Sequence, residues 1–231
     1  MSKENNFSLT IDRLFICTKY GLEAASVLQE FGLFCPQTVI RSNSQDTLSK
    51  LFFFENTFLA LVWVENDCGC SDTIINFTAR ANWQETRTSP FGIGFSRNHQ
   101  HYNLAKLDRQ VVKNLIIDNY LCYSAQNQKN ITEPFIFMLP ERLKYSNILD
   151  RRVLQHLKYI NHPTQVKRVT GINIKVQEGR RRDSEIISWL KNNRVLNIAS
   201  ASEPLLEITF DRGSQEKLFD ARPILPVLFK Y

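Results

Sequence analysis

The chain has 231 residues, with 29 Lys and Arg against 23 Asp and Glu, a net charge of +6 and 43% hydrophobic content. That is enough apolar material for a core and excludes wholesale disorder. No apolar run reaches the roughly 18 residues of a membrane span, and the polar opening Met1-Ser2-Lys3-Glu4-Asn5-Asn6 has no signal-peptide stretch behind it. The expectation is a cytoplasmic protein with no membrane partner.

In chain order, Leu9, Ile11, Leu14, Phe15 and Ile16 read as a buried strand. After Tyr20-Gly21, the residues Leu22, Ala25, Leu28 and Phe31 recur at a spacing of three and predict a helix that Gly32 ends. Val39-Ile40 suggests a short strand. Leu51-Phe52-Phe53-Phe54, the turn Glu55-Asn56 and the run TFLALVWV over residues 57–64 predict a tight hairpin of β-formers. A further strand is expected over residues 91–95. Val111, Val112, Leu115 and Ile116 suggest a short helix, and Phe135-Ile136-Phe137-Met138-Leu139 between two prolines is strand-sized. Leu149, Val153, Leu154, Leu157 and Ile160 have helical spacing up to His162-Pro163, where the proline stops it.

The last third restarts the opening pattern. Val169, Ile172, Ile174 and Val176 predict a strand. Ile186, Ile187, Trp189 and Leu190 predict a helix, and residues 195–199 and 205–210 predict two more strands. Strand, helix, strand, strand therefore occurs twice, about 160 residues apart. The expected fold class is α+β: two βαβββ-type modules pairing into a U-shaped half-barrel around a central cavity. The modules span residues 7–98 and 166–231, and a connecting segment covers 99–165. All three form one cooperative unit, because neither half-sheet can bury its aromatic face alone.

Three stretches carry a family resemblance: Ile11-Asp12-Arg13-Leu14-Phe15-Ile16, the hairpin LFFFENTFLALVWV, and Ser89-Pro90-Phe91-Gly92-Ile93-Gly94. Phe210-Asp211-Arg212-Gly213 and Arg222-Pro223-Ile224-Leu225-Pro226 add to them. With these the chain resembles the glyoxalase-like branch of the vicinal oxygen chelate superfamily. The resemblance implies the paired modules and, in metal-using relatives, a divalent ion held by His or Gln on a first strand and Glu on a fourth, twice over. Here the His position holds Arg13, the first carboxylate position holds Ala60, and the second first-strand position falls near Gly171. Only Glu207, in Leu205-Leu206-Glu207-Ile208, keeps the pattern.

Arg13 is a permanent cation with no lone pair and would repel a metal. The expectation is therefore no metal and no cofactor, with Arg13 reaching the carboxylate of Glu207. Strand alternation turns Arg13, Ala60, Glu207 and Thr209 toward the cavity. Arg13 would meet a ligand's negative group, Glu207 would orient it, and Phe15, Phe54 and Phe58 would supply the apolar wall. Glu133, before Pro134, stands either at the pocket mouth or merely at the turn. The preferred function is binding of a small anionic, partly apolar molecule in the concave cavity without the usual catalytic metal. One alternative is a lyase, isomerase or dioxygenase of the glyoxalase-like kind, metal-dependent or metal-free, with Glu207 as a catalytic base whose pKa an apolar setting raises. The plainer alternative is a buried Arg13–Glu207 pair with no ligand.

Other constellations carry less. Cys17, Cys35 and Cys122 read as core fillers, and an odd count of five cysteines argues against a complete disulfide framework. Cys68-Gly69-Cys70 lacks a second cysteine pair to complete a zinc site, and His99-Gln100-His101 lacks a nearby carboxylate. His156 and His162 read as structural, and Trp63, Trp83 and Trp189 as core or rim. Arg151-Arg152 and Arg180-Arg181-Arg182 read as solvated turns, so a nucleic-acid partner is disfavoured. No nucleotide-binding or serine-nucleophile motif is present. Oligomeric state stays open, with room for a homo-oligomer.

Overall fold

A computed structural model describes residues 9–43, 45–65, 74–97, 115–117, 121–149, 154–178 and 182–231. Among them, β1 (Leu9–Cys17) leads through helix α1 (Gly21–Glu30) to β2 (Ile40–Ser42), β3 (Thr47–Phe53) and β4 (Phe58–Val64). The expected turn at Glu55-Asn56 joins β3 to β4. β1 and β4 pair in parallel, an arrangement that requires a long connection, and α1 lies within it. The buried stripe of α1 is Gly21, Ala24, Ala25 and Leu28. Leu22, expected on that stripe, is exposed.

Two short helices, α2 (Phe77–Ala81) and α3 (Trp83–Thr86), precede β5 (Phe91–Arg97). The chain continues through β6 (Leu115–Ile117), β7 (Cys122–Ser124), α4 (Ala125–Lys129) and β8 (Phe135–Met138). Residues 115–117, expected within a helix, are thus a strand, and residues 111–114 lie outside the described set. The eight strands form one sheet in the order β2-β3-β4-β1-β5-β8-β7-β6. It consists of two four-strand runs meeting where β1 and β5 pair antiparallel. Each run has its first and last strands parallel, β1 with β4 and β5 with β8.

After α5 (Tyr145–Ile148) and α6 (Leu154–Leu157), a second sheet is built from β9 (Val169–Gln177), β10 (Asn197–Ala201), β11 (Leu205–Phe210), β12 (Leu218–Asp220) and β13 (Val227–Lys230). Helix α7 (Glu185–Asn192) lies between β9 and β10, and the strand order is β10-β9-β11-β13-β12. The molecule is therefore α+β with two multi-strand sheets. The strands are shared out differently from the expected modules. β5 starts the partner run of β1 inside the first sheet, and the segment expected to be a connector supplies β6, β7 and β8. The final third makes a separate sheet.

Alternation along the strands splits the apolar residues into two layers. Leu14, Ile16, Phe52, Phe54, Leu59, Leu61, Ile93 and Phe95 of the first sheet share one continuous core with α1, α7 and Ile174, Leu206, Ile208, Phe210 and Phe229 of the second sheet. Phe31, just past α1, stacks on Phe219 at 4.4 Å and on Phe229 at 5.2 Å between ring centres. The first sheet's other face carries a separate aromatic layer. Among the described residues no helix is long and apolar enough to cross a membrane.

Candidate functional site

The aromatic face of the first sheet is assembled from its four central strands. β1 contributes Phe15 and Cys17, β4 contributes Phe58, Ala60 and Val62, and β8 contributes Phe135 and Phe137. β5 contributes Gly92 and Gly94. Any side chain at Gly92 would collide with the Phe15 ring, and one at Gly94 with Phe137 and the stem of Arg13. The two glycines thus make room for rings from the neighbouring strands. Phe77 of α2 lies 6.0 Å from Phe15, and Tyr145 of α5 lies 5.8 Å from Phe58, so the layer is covered from outside.

Arg13 sits on this face, as alternation requires, with its guanidinium 4.9 Å from the centre of the Phe58 ring. Its partner is not Glu207. Arg13 Nε donates to Asp12 Oδ1 at 3.0 Å, and Nη2 bonds the Leu143 carbonyl. Asp12 Oδ2 in turn accepts the Tyr145 N–H at 2.8 Å. A register shift between Ile11 and Arg13 breaks the strict alternation of β1, and two consecutive residues thereby join one network. Burial pulls the Arg13 guanidinium below its usual pKa, and the adjacent Asp12 opposes that.

Glu207 and Thr209 lie on the free face of the second sheet, opposite to Leu206, Ile208 and Phe210 in the shared core. They do not share a cavity with Arg13 and Ala60. Glu207 Oε1 is 2.8 Å from Lys175 Nζ on β9 and Oε2 is 2.7 Å from Lys230 Nζ on β13. Hydrogen bonds from the two ammonium groups lower its pKa to about 2. This is the reverse of the expected elevation and unfit for a base working near neutrality.

Two further expectations are corrected. Phe54 belongs to the shared core, 4.8 Å from Phe210 and 5.1 Å from His162, and forms no wall with Phe15 and Phe58. Glu133 is buried, and its carboxylate accepts from Asn127 Nδ2 at 2.8 Å and from the Ser184 N–H at 2.6 Å. It holds the residue before α7 and stands at no pocket mouth. Nearby, the fully buried Arg80 donates to the carbonyls of Ser89 at 2.5 Å and Glu133 at 3.0 Å. Burial draws its pKa down to about 10, and the same cause pushes the Cys17 thiol up to about 12. Cys68, Cys70, His99, His101, Arg151, Arg152, Arg180 and Arg181 lie outside the described residues.

No family model matches the chain, and no curated protein matches it. A solved structure does. The chain is similar to a hypothetical protein from Staphylococcus aureus, with 13% identity, 96% of this chain and 98% of that chain covered, and a TM-score of 0.56. At that identity the likeness speaks for the fold alone.

Beside Arg13 lies a hollow of about 430 Å³, lined by Thr10, Ile11, Asp12, Glu55, Asn56, Ser96, Lys144, Tyr145, Ser146 and Leu149. Its lining is mostly polar, with Ile11, Tyr145 and Leu149 as the apolar part, a composition suited to a small polar organic molecule with an apolar portion. A divalent ion fits poorly. The inward positions of the central strands offer an arginine, a buried thiol, glycines and aromatic rings, and among the described residues no group of three His, Cys, Asp or Glu side chains could hold a metal. Sequence reasoning missed Asp12, Arg80, Lys144 and Tyr145. Only Asp12 carried a signal, its adjacency to Arg13.

Proposed function

We propose that the chain is a glyoxalase-like protein that binds a small molecule with a negative group and an apolar body, without a catalytic metal. In this reading the eight-stranded sheet is a pair of four-strand halves, β1 to β4 and β5 to β8, curled around the aromatic face, and the ligand lies in the hollow beside it. The repeated strand order about the β1–β5 seam supports the paired halves. The observation that carries the binding role is Arg13, a cation resting on the Phe58 ring and bonded to Asp12, which lines the hollow. Its Nη1 has no hydrogen bond among the described residues, and a ligand oxygen there would gain a charge-assisted bond. The inward positions support the metal-free part, since Arg13, Ala60, Gly94 and Phe137 cannot form a coordination sphere.

The test uses anilinonaphthalene sulfonate, an anionic aromatic probe, titrated against the wild type, Arg13→Lys and Arg13→Met. Affinity should fall by about tenfold or more in Arg13→Met and be partly kept in Arg13→Lys. Equal binding by all three would overturn the role of Arg13. A stoichiometric divalent ion found by elemental analysis, in protein purified without chelator, would overturn the metal-free reading.

A further inference from the structure

His162 lies between α6 and β9, in the strap that leads from the first sheet to the second, and it is almost fully buried. Both ring nitrogens are committed to backbone groups of the first sheet's half. Nδ1 accepts the N–H of Phe34 at 2.9 Å, and Nε2 faces the carbonyl of Phe53 at 2.8 Å. An N–H can donate only to a nitrogen with a lone pair, so Nδ1 is bare and the one proton sits on Nε2. The arrangement works for a single tautomer of the neutral ring. A second proton would set two N–H groups against each other at Phe34.

We propose that His162 is an acid-sensitive latch: while neutral it pins the strap of residues 154–168 to both Phe34 and Phe53, and protonation releases Phe34. The latch regulates access to the edge of the aromatic face, because Tyr159 in the same strap packs 5.9 Å from Phe53 and 6.2 Å from Phe34. The device stands on the hydrogen bonds and is independent of any ligand.

Among the described residues the surroundings offer the imidazolium no counter-charge. Around the ring, β3 presents Phe53 and, farther along, Lys50, whose ammonium is taken by the carbonyls of Pro36 and Gln37. The loop after α1 presents Phe34 and the protonated Cys35, and the turn after β3 presents Phe54. In the strap itself Lys158 lies over the Tyr159 ring. Two carboxylates on flanking elements are engaged elsewhere: Glu55 with Arg168, and Asp211 with the N–H groups of Lys167 and Arg168. Among the described residues no carboxylate bonds the ring, and burial lowers its pKa. The acid form is therefore reached only at a cost that breaking the Phe34 bond relieves.

The test is amide hydrogen exchange on the whole protein from about pH 7.5 to about pH 4.5, corrected for intrinsic exchange, with the His162 ring followed by NMR. Protection of the Phe34 amide should fall by up to tenfold per pH unit between the ordinary 6.5 of a released imidazole and the lower pKa of the latched ring, and level off below that, while Leu59 in the core stays protected. In His162→Asn, which keeps an acceptor and cannot titrate, the Phe34 profile should be flat. The proposal is overturned if Phe34 stays protected once the ring is charged, if the ring stays neutral throughout, or if Phe34 and Leu59 lose protection together. The wild-type comparison decides the matter should the variant fail to fold.

Discussion

The two sheets are built around the same central arrangement, an antiparallel pair of strands each flanked by a parallel neighbour. They differ in what covers the face turned away from the shared core. In the first sheet that face is Phe15, Phe58, Phe135 and Phe137, and it is roofed by α2 and α5. In the second it is the half-buried Asn173, Lys175, Glu207, Thr209 and Lys230, tied by ion pairs and a side-chain hydrogen bond to Asn197. Aromatic rings must be covered and charged side chains need not be. The difference teaches that, among the described residues, the first sheet carries an apolar outer face, and Arg13 is the cation placed on it.

The contrast can be broken in stability measurements. The largest effect is expected at Arg80, the buried cation under the first sheet's roof. Arg80→Met removes two hydrogen bonds and leaves the buried carbonyls of Ser89 and Glu133 without their donors, so urea unfolding should show a loss of about 3–5 kcal/mol. Gly92→Ala comes next. Its methyl group would push into the Phe15 ring, at a cost of about 1–3 kcal/mol in the same assay.

The second sheet should respond less. Glu207→Gln removes a carboxylate shared by two half-exposed lysines, and about 1 kcal/mol should be lost near neutral pH. The folded pKa near 2 lies below the ordinary 4.5. The stabilisation is therefore present above pH 4.5 and is lost as pH falls from there toward 2, so wild type and variant should converge in acid. Smallest of all, Gly171→Ala meets only the Thr209 side chain at 3.3 Å and should change stability by about 0.5 kcal/mol or less. A loss at Gly171 as large as that at Gly92 would show that the second sheet's face is as closely packed as the first.

Much of the secondary structure was legible because it is written locally. The hairpin around Glu55-Asn56 shows dense β-formers on either side of a two-residue turn, and α1 and α7 show their periodicity. The pairing of strands was not legible. β5 looks weak because Gly92 and Gly94 interrupt it, yet those glycines place it at the centre of the sheet beside Phe15 and Phe137. β6 and β7 have three residues each, too few to display a period. In the site, alternation correctly set Arg13 on the face of Phe15 and Phe58, and it grouped Glu207 with Thr209. It could not say that these two pairs belong to different sheets. The lysines that hold Glu207 come from strands on either side of β11, and no local pattern names them. Phe54 was misplaced by one residue: Phe53 shares the face of Phe58, and Phe54 turns the other way.

The rings of Phe31 and Phe54 rest on Phe229 and Phe210, and Asn56 closes two hydrogen bonds on Val169, at 2.8 and 3.0 Å. During synthesis those three partners emerge from the ribosome long after the first eight strands. Until they do, the nascent first sheet carries an uncovered oily surface, the kind that chaperones recognise and that sticks to its own kind. Translation of the second sheet is thus the step that seals the first, and a cut made between them should leave neither piece soluble.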